Sequence, residues 1–532
     1  MQSVIRSGAR ALLPVLVAAA ALLSAPAAQA QDMTVPDENL RRCVNVALAA
    51  DPAADVAPGQ LATLTSLDCS GAEIDSIVGL EHATNLTALN LSLNAFSDVS
   101  ALASLARLTD LNLAFTPIDD LSPLATLSAL TSLELASTSV DDLSPLKGLT
   151  DLASLSLGGT AISDVSALTS LPSLASLSLA STGISDISAL ETLAGLTTLS
   201  LARTPVSDVS ALSSLTGLTD LTLTRTAVGD VAPLSSLTGL TRLAIGDTAI
   251  SDLTPLASLT ALEELHANDT AIRDLSPLSS LTSLSRLHLF HTDVADLAPL
   301  AGLPELTHLA VWETDVDDLS PLASLPSLTS LVATNTPVSD ISALSSLTSL
   351  TDLELGGTDV ADLSPLAGLT SLTTLDVSHA AVSDVTPLAG LTALTELHLS
   401  ANAISDLSPL ASLTSLTTAE FELQAVTWED VPLRTEFANP VTSIDGSTVP
   451  LSTTDEEYDP SANTATYTSR GVATGAWQTV TPEGFVFSGE FEQTATGIET
   501  VELVLLGVGA LVVAVAIVVW MVRRRSRAGA DA

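Results

Sequence analysis

From about Leu64 to Phe421 the apolar positions fall into one 22-residue phrase, repeated without a break. One copy runs from Leu108 to Ala129 and reads Leu-Thr-Asp-Leu-Asn-Leu-Ala-Phe-Thr-Pro-Ile-Asp-Asp-Leu-Ser-Pro-Leu-Ala-Thr-Leu-Ser-Ala. Leu111 and Leu113, then Leu133 and Leu135, alternate with other residues as a short strand does, with the Leu pair on the inner face. A Thr column follows (Thr116, Thr138, Thr160), replaced by Asn at Asn94 and Asn402. A buried Thr hydroxyl there is expected to bridge backbone groups of neighbouring turns, as Asn does more fully. An Ile/Val column (Ile118, Val140, Ile162) adds core. Ser-Pro-Leu or Ser-Ala-Leu then starts the return. Ser122 before Pro123 predicts an N-cap followed by a residue preset for a helical turn. Too few residues remain for an α-helix, so a 3₁₀ turn is predicted.

The pattern Leu-x-x-Leu-x-Leu-x-x-Thr/Asn-x-Ile/Val at a fixed short period is that of a leucine-rich repeat solenoid. Stacked copies predict a parallel β-sheet on the concave side and 3₁₀ turns on the convex side. Seventeen strand positions can be counted from Leu67 to Ala419. At about 4.8 Å per strand the sheet would be roughly 75–80 Å long. No single copy buries its Leu alone; the stack buries them as one ridge. Asp recurs in strict register from Asp98 to Asp406. Identity at a repeat-defining position is structural: each carboxylate is placed to accept backbone N–H groups as its loop turns. The doubled acids Asp119-Asp120, Asp141-Asp142 and Asp317-Asp318 lack EF-hand spacing and read as a solvated acidic face.

The flanks differ. Arg6 and Arg10 precede an apolar run, and Ala28-Gln29-Ala30 offers a cleavage site, so residues 1–30 read as a signal peptide. In 31–63, Leu40, Cys43, Val44, Ala47 and Leu48 lie on one helix face, and Asp37 after Pro36 is a suitable N-cap. This helix is expected to cap the open end of the first repeat. Cys69 occupies a column otherwise filled by Leu, where Cys43 can meet it. In an exported chain such a pair reads as a disulfide. Residues 422–495 are richer in aromatics. Asp445-Gly446 marks a turn, and 464–468, 476–480 and 485–491 read as strands. A small β-sandwich covering the last repeat is expected, then a short linker at 496–502. Leu503 to Val522 is 20 residues without a charge, long enough for a transmembrane helix. The basic tail at 523–532 then lies in the cytoplasm and the repeats outside.

The repeat resembles the internalin-type bacterial leucine-rich repeat. Pro36-Asp37-Glu38-Asn39-Leu40-Arg41 resembles the start of that family's helical cap. Asn439-Pro440-Val441 and Asp445-Gly446-Ser447 resemble its immunoglobulin-like domain. The resemblance implies a bacterial cell-surface protein that binds host or neighbour proteins through its concave face, with some members attached to the cell wall. Gln493-Thr494-Ala495-Thr496-Gly497 matches the wall-sorting signal only at Thr496 and Gly497. Retention in the plasma membrane and sortase processing both stay open.

The formal net charge is −44. Removing the two ends takes away Arg6, Arg10, Arg523, Arg524, Arg525 and Arg527 but only Asp531, so the exported part is more acidic still. Such a field disfavours nucleic acid and anionic lipid as partners and favours cations and basic protein surfaces. No Gly-x-Ser-x-Gly, phosphate loop, Cys-x-x-Cys or His-Glu-x-x-His occurs. The reading is of a non-enzyme without cofactor or metal. The concave positions carry the remaining information. In repeats from Leu133 to Leu201 they are mostly Ser, Ala and Gly. From Arg203 to Glu313 they change: Arg203, Arg225, Arg242, Glu264, His266, Asp269, Arg286, His288, Phe290, His291, His308, Trp312 and Glu313 cluster there. Exposed Arg, Trp and Phe together are the composition of interface anchors. This window is the expected protein-binding site, with an acidic partner favoured by its Arg side chains. A metal site on His266, His288 and His308, and an envelope spacer without a specific ligand, are the alternatives.

Overall fold

The computed structural model describes residues 34–496 apart from 428–430, 433–435, 454–455, 460–463, 468–470 and 482–484; side chains at 431–437, 453–475 and 494–496 are not described. The chain enters through α1 (Glu38–Ala47), whose N-cap Asp37 accepts the Leu40 N–H at 2.8 Å. The second oxygen of Asp37 accepts the N–H groups of Asp75 and Ser76, at 2.9 and 3.1 Å, and so ties the cap to the first repeat. Leu40 and Val44 are fully buried, whereas Ala47 of the expected apolar face is exposed. Cys43 and Cys69 form a disulfide closing 26 residues. A short α2 (Pro58–Leu61) leads into the repeats.

The strands then follow at 22-residue intervals: β1 (Ser66–Asp68), β2 (Ala88–Asn90), β3 (Asp110–Asn112), β4 (Ser132–Glu134), and so on to β16 (Glu396–His398) and β17 (Thr418–Thr427). Each pairs in parallel with the next, Leu opposite Leu, from Leu67↔Leu89 to Leu375↔Leu397. Between strands the chain makes a 3₁₀ turn, Ser122–Thr126 in the copy quoted above. The turn's cap is not Ser122. The carboxylate of Asp120 accepts the Ser122 N–H at 2.8 Å, and Ser122 already belongs to the turn. All fifteen Asp of the column do the same at 2.7–2.9 Å. Among them Asp120 is held below its ordinary carboxylate value by the hydroxyl and N–H of Ser122.

The Thr column works differently from expectation. Thr116 Oγ1 donates to Leu113 O of its own turn at 2.6 Å, and Thr138 and Thr160 repeat this. Asn94 does bridge turns: it accepts the Ile74 N–H at 2.9 Å and donates to Cys69 O at 2.9 Å. Asn402 repeats the bridge near the other end, and Gln424 takes it one turn further. At this column the short Thr side chain reaches only the carbonyl three residues back, where the longer Asn amide also reaches the turn before. Neighbouring turns are instead stitched by a second Thr row at the strand entrances, as in Thr109 Oγ1 to Thr87 O at 3.0 Å.

β17 does not stop where the repeat pattern ends. Its second half pairs in parallel with β24 (Val486–Thr496), and β24 pairs antiparallel with β23 (Gly471–Val480). Phe421, Trp477, Phe487 and Phe491 are buried together over the last repeat. Gly489 has no room for a Cβ against the Trp477 ring and the Gln424 carbonyl. A second small sheet joins β19 (Glu436–Ala438), β21 (Glu456–Asp459) and β22 (Thr464–Tyr467), antiparallel throughout. Side chains that a sandwich would pack between the two sheets fall largely outside the described ones. Among the described residues no helix is long and apolar enough to cross a membrane; the 503–522 run, the basic tail and the 1–30 leader lie outside them.

Candidate functional site

Each strand carries a fixed set of outward positions. In β11 (Arg286–His288) the inner Leu287 and Leu289 are fully buried, and Arg286, His288, Phe290 and His291 face away from them. The last of these positions has a property the repeat does not announce. His291 has φ +53°, and so do its counterparts within a few degrees: Arg203, Arg225, Asp247, Asp269 and Glu313 lie between +52° and +60°. This left-handed conformation disfavours L-residues by about 1–2 kcal/mol each. It turns the chain out of the strand and sets these side chains along one edge of the sheet face.

The structure brings most of the expected residues into one cluster across β10 (Glu264–His266), β11 and β12 (His308–Ala310). Phe290 and Trp312 stack at 4.4 Å with their planes 12° apart. His291 meets the Trp312 ring edge-on at 4.2 Å. His266 and His288 are lateral neighbours with ring centroids 4.3 Å apart. His308 Nδ1 lies 2.8 Å from Thr307 Oγ1, on the far side of Arg286 in the same column. Among the described residues no three His, Cys, Asp or Glu side chains converge to hold a metal ion. Arg203 and Arg225 stand two or more strands away and join the cluster only through the left-handed edge.

The charges are already partnered to a degree that counting them does not reveal. His291 lies between Asp269 at 2.8 Å and Glu313 at 3.1 Å. His266 lies 2.6 Å from Glu264. Arg225 pairs with Asp247 at 2.8 Å, and Arg242 sits between Asp220 at 3.4 Å and Glu264 at 3.7 Å. Arg242 therefore adds little free positive charge. Among the described residues Arg286 and Arg203 make no ion pair. Burial pushes the Glu264 carboxyl up, but the His266 contact and the charges of Arg242 and Arg286 outweigh it and hold it low. Asp269 behaves alike: burial raises it, and Asn268 and His291 more than reverse the effect. His288 is lowered, first by burial and then by His266 beside it. Asp220, Asp247 and Asn268 are the site residues that the sequence reading passed over. Pairing each Arg or His with the residue 22 positions away would have found the two Asp.

A leucine-rich repeat profile matches residues 82–103. No curated protein sequence matches the chain. Among solved structures, the internalin InlF of Listeria monocytogenes is 30% identical, with 74% of this chain and 97% of that one covered and a TM-score of 0.45. InlJ of the same species is 21% identical over 87% and 97%, with a TM-score of 0.57. A leucine-rich repeat protein of Leptospira interrogans is 19% identical over 68% and 97%, with a TM-score of 0.64. The latter two share the fold. InlF counts through residue identity along nearly its whole length. With that identity and an unbroken 22-residue repeat behind it, this chain belongs to the internalin-type leucine-rich repeat proteins.

Proposed function

We propose that the chain is an exported recognition protein of the cell surface. It binds another protein on the outward face of its sheet between β7 (Thr198–Ser200) and β12 and performs no chemistry itself. One observation carries the reading: the stacked Phe290–Trp312 pair stands on the outer face, where the Leu core asks nothing of it. Large aromatics beside Arg are the side chains that anchor interfaces. The pair offers a partner an apolar ridge. Arg286, free of an ion pair among the described residues, offers a site for an acidic group.

Trp312→Ala or Arg286→Ala should weaken binding by about 2 kcal/mol or more. Ser156→Ala, on a strand of small residues, should leave it unchanged. Pull-down of partners with wild-type ectodomain, followed by titration of the variants, is the measurement. Patch variants that bind like wild type would transfer the case to the spacer reading.

Anchoring belongs to the same proposal. The uncharged run at 503–522 and the Arg tail support retention in the plasma membrane. Mass spectrometry of detergent-extracted protein should then find Arg523–Arg525 intact. A mature terminus at Thr496 joined to wall peptide would establish sortase attachment instead.

A further inference from the structure

The carboxylates of the aromatic cluster are met by Arg or His side chains of the same chain. Those at the N-terminal end of the sheet are not. Asp68, Asp110 and Glu134 occupy outward positions of β1, β3 and β4, and among the described residues no Lys, Arg or His pairs with any of them. Asp68 accepts the Ser70 N–H at 3.0 Å and Asp110 the Thr109 hydroxyl at 2.7 Å. In the column between Asp68 and Glu134, Asn90 and Asn112 turn their oxygens to the backbone N–H groups of Ser92 and Ala114, at 3.1 and 3.0 Å. The Asn90 side chain also hydrogen-bonds Asp68, and the Asn112 NH₂ faces outward as a donor. These side chains line one shallow depression on the sheet face.

Two large apolar side chains stand at the left-handed edge of the same strands. Leu93 and Phe115 are 58% and 56% exposed, with φ of +59° and +58°. They are successive members of the column that further along holds Ser, Gly, Arg and Asp. Nothing in the fold calls for them. The backbone there disfavours any L-residue, and neither side chain recovers that cost by burial.

We propose that this end of the sheet is a second docking surface. It takes a segment of another protein that carries Arg or Lys beside a large apolar side chain. Charge complementarity selects the occupant. Covering three unpaired carboxylates with a neutral or acidic partner strips them of water without compensation. A second copy of this chain, at −44, is repelled. The basic residues meet Asp68, Asp110 and Glu134, the apolar one packs on Leu93 and Phe115, and the amide of Asn112 hydrogen-bonds a carbonyl of the segment. The surface is separate from the aromatic cluster, with the Ser-rich strands β5 (Ser154–Ser156) and β6 (Ser176–Ser178) between them.

The test uses the full-length chain and two fluorescein-labelled synthetic peptides, one alternating arginine with leucine and one alternating arginine with serine. Fluorescence anisotropy reads binding. Leu93→Asn with Phe115→Asn should weaken the arginine–leucine peptide by about tenfold or more and leave the arginine–serine peptide within about twofold. Because Asn tolerates the left-handed region, this variant should unfold no more easily than wild type, which separates lost binding from lost fold. Asp110→Asn with Glu134→Gln should weaken both peptides and flatten their salt dependence. Trp312→Ala should change neither. Two outcomes overturn the proposal. Binding unchanged in both double variants means that the acidic body holds the peptide diffusely. Binding lost in Trp312→Ala as much as in Leu93→Asn with Phe115→Asn places the peptide on the aromatic cluster.

Discussion

Strands β5 and β6 and strands β10 to β12 share one backbone. Their inner Leu are equally buried, Leu155 and Leu177 on one side, Leu265 and Leu287 on the other. Their Asp caps are alike, with Asp164 accepting the Ser166 N–H at 2.7 Å and Asp274 accepting that of Ser276 at 2.8 Å. Their Thr hydroxyls make the same bond, from Thr160 to Leu157 O and from Thr270 to Ala267 O, at 2.7 Å in both. Inside, Ala267 and Val311 stand where β5 and β6 have Leu157 and Leu179, all fully buried. The larger difference is outside, with Ser154, Ser156, Gly158 and Gly159 against Arg286, His288, Phe290 and His291. The difference teaches that the fold is fixed by inward and capping positions. The outward ones are free to record what the surface meets. It also means that a variant in either class should affect one property and spare the other.

The largest expected effect tests the shared half of that statement. Leu155→Ala and Leu287→Ala each empty the same core position, so each should cost about 2–5 kcal/mol of stability. The two values should agree despite the different surfaces above them. Chemical denaturation of the two variants gives the comparison. Should Leu287→Ala cost much more, the aromatic cluster would be contributing to the fold, and its reading as a binding surface would weaken.

The shared half was also the legible half. Asp98 to Asp406 and the Leu pairs follow from period and facing alone, because a repeat states its own neighbours. The adjacency of Phe290 and Trp312 was readable for the same reason, being one repeat apart. The Cys43–Cys69 bridge followed from the cap helix's apolar face, the Leu column that holds Cys69 and the reading of an exported chain. Four things were not. The left-handed column is filled by Leu, Phe, Ser, Arg, Asp and His, so little Gly or Asn announces it. The Ser-Pro motif drew the cap to Ser122, although the oxygen that caps belongs to Asp120. Ion pairs such as Arg225–Asp247 vanish when charges are counted rather than paired across strands. The pairing of Phe421 with Phe487 joins residues 66 positions apart in a region without a repeat to give the register.

A smaller effect concerns the left-handed column, which is strained in both regions. Ser181 has φ +58° and makes no described side-chain contact that the strain secures. Ser181→Gly should therefore raise stability by about 1 kcal/mol. Asp269→Gly relieves the same strain but loses the 2.8 Å contact to His291, so its gain should be nearly cancelled. Thermal unfolding of the two variants measures this. Equal gains would show that the Asp269–His291 contact contributes nothing to stability.

The smallest effect lies in pH. His288 is lowered from its ordinary value of 6.5 by burial and by His266, with His308 and Arg286 acting the same way and Glu264 against them. A lowered histidine means that the unfolded chain takes up the proton first. The folded state is then favoured at high pH, and that part of its stability falls as pH drops below about 6.5. The Asp column also loses stability on acidification, but in a lower window. Asp142 and Asp274, one in each region, are held below their ordinary 3.8, by the Ser144 hydroxyl and N–H in one case and the Ser276 N–H and hydroxyl in the other. They therefore keep their contribution down to that range. The advantage of wild type over His288→Gln should accordingly shrink as pH is lowered from about 7.5 to 5. Wild type against Ser156→Ala, in the region without histidine, should show a constant difference over the same range. Urea denaturation at a series of pH values reads both. A flat difference for His288→Gln would mean that burial leaves the His288 ring as ready to take up a proton as an exposed one, and the two surfaces would then be alike in their response to protons.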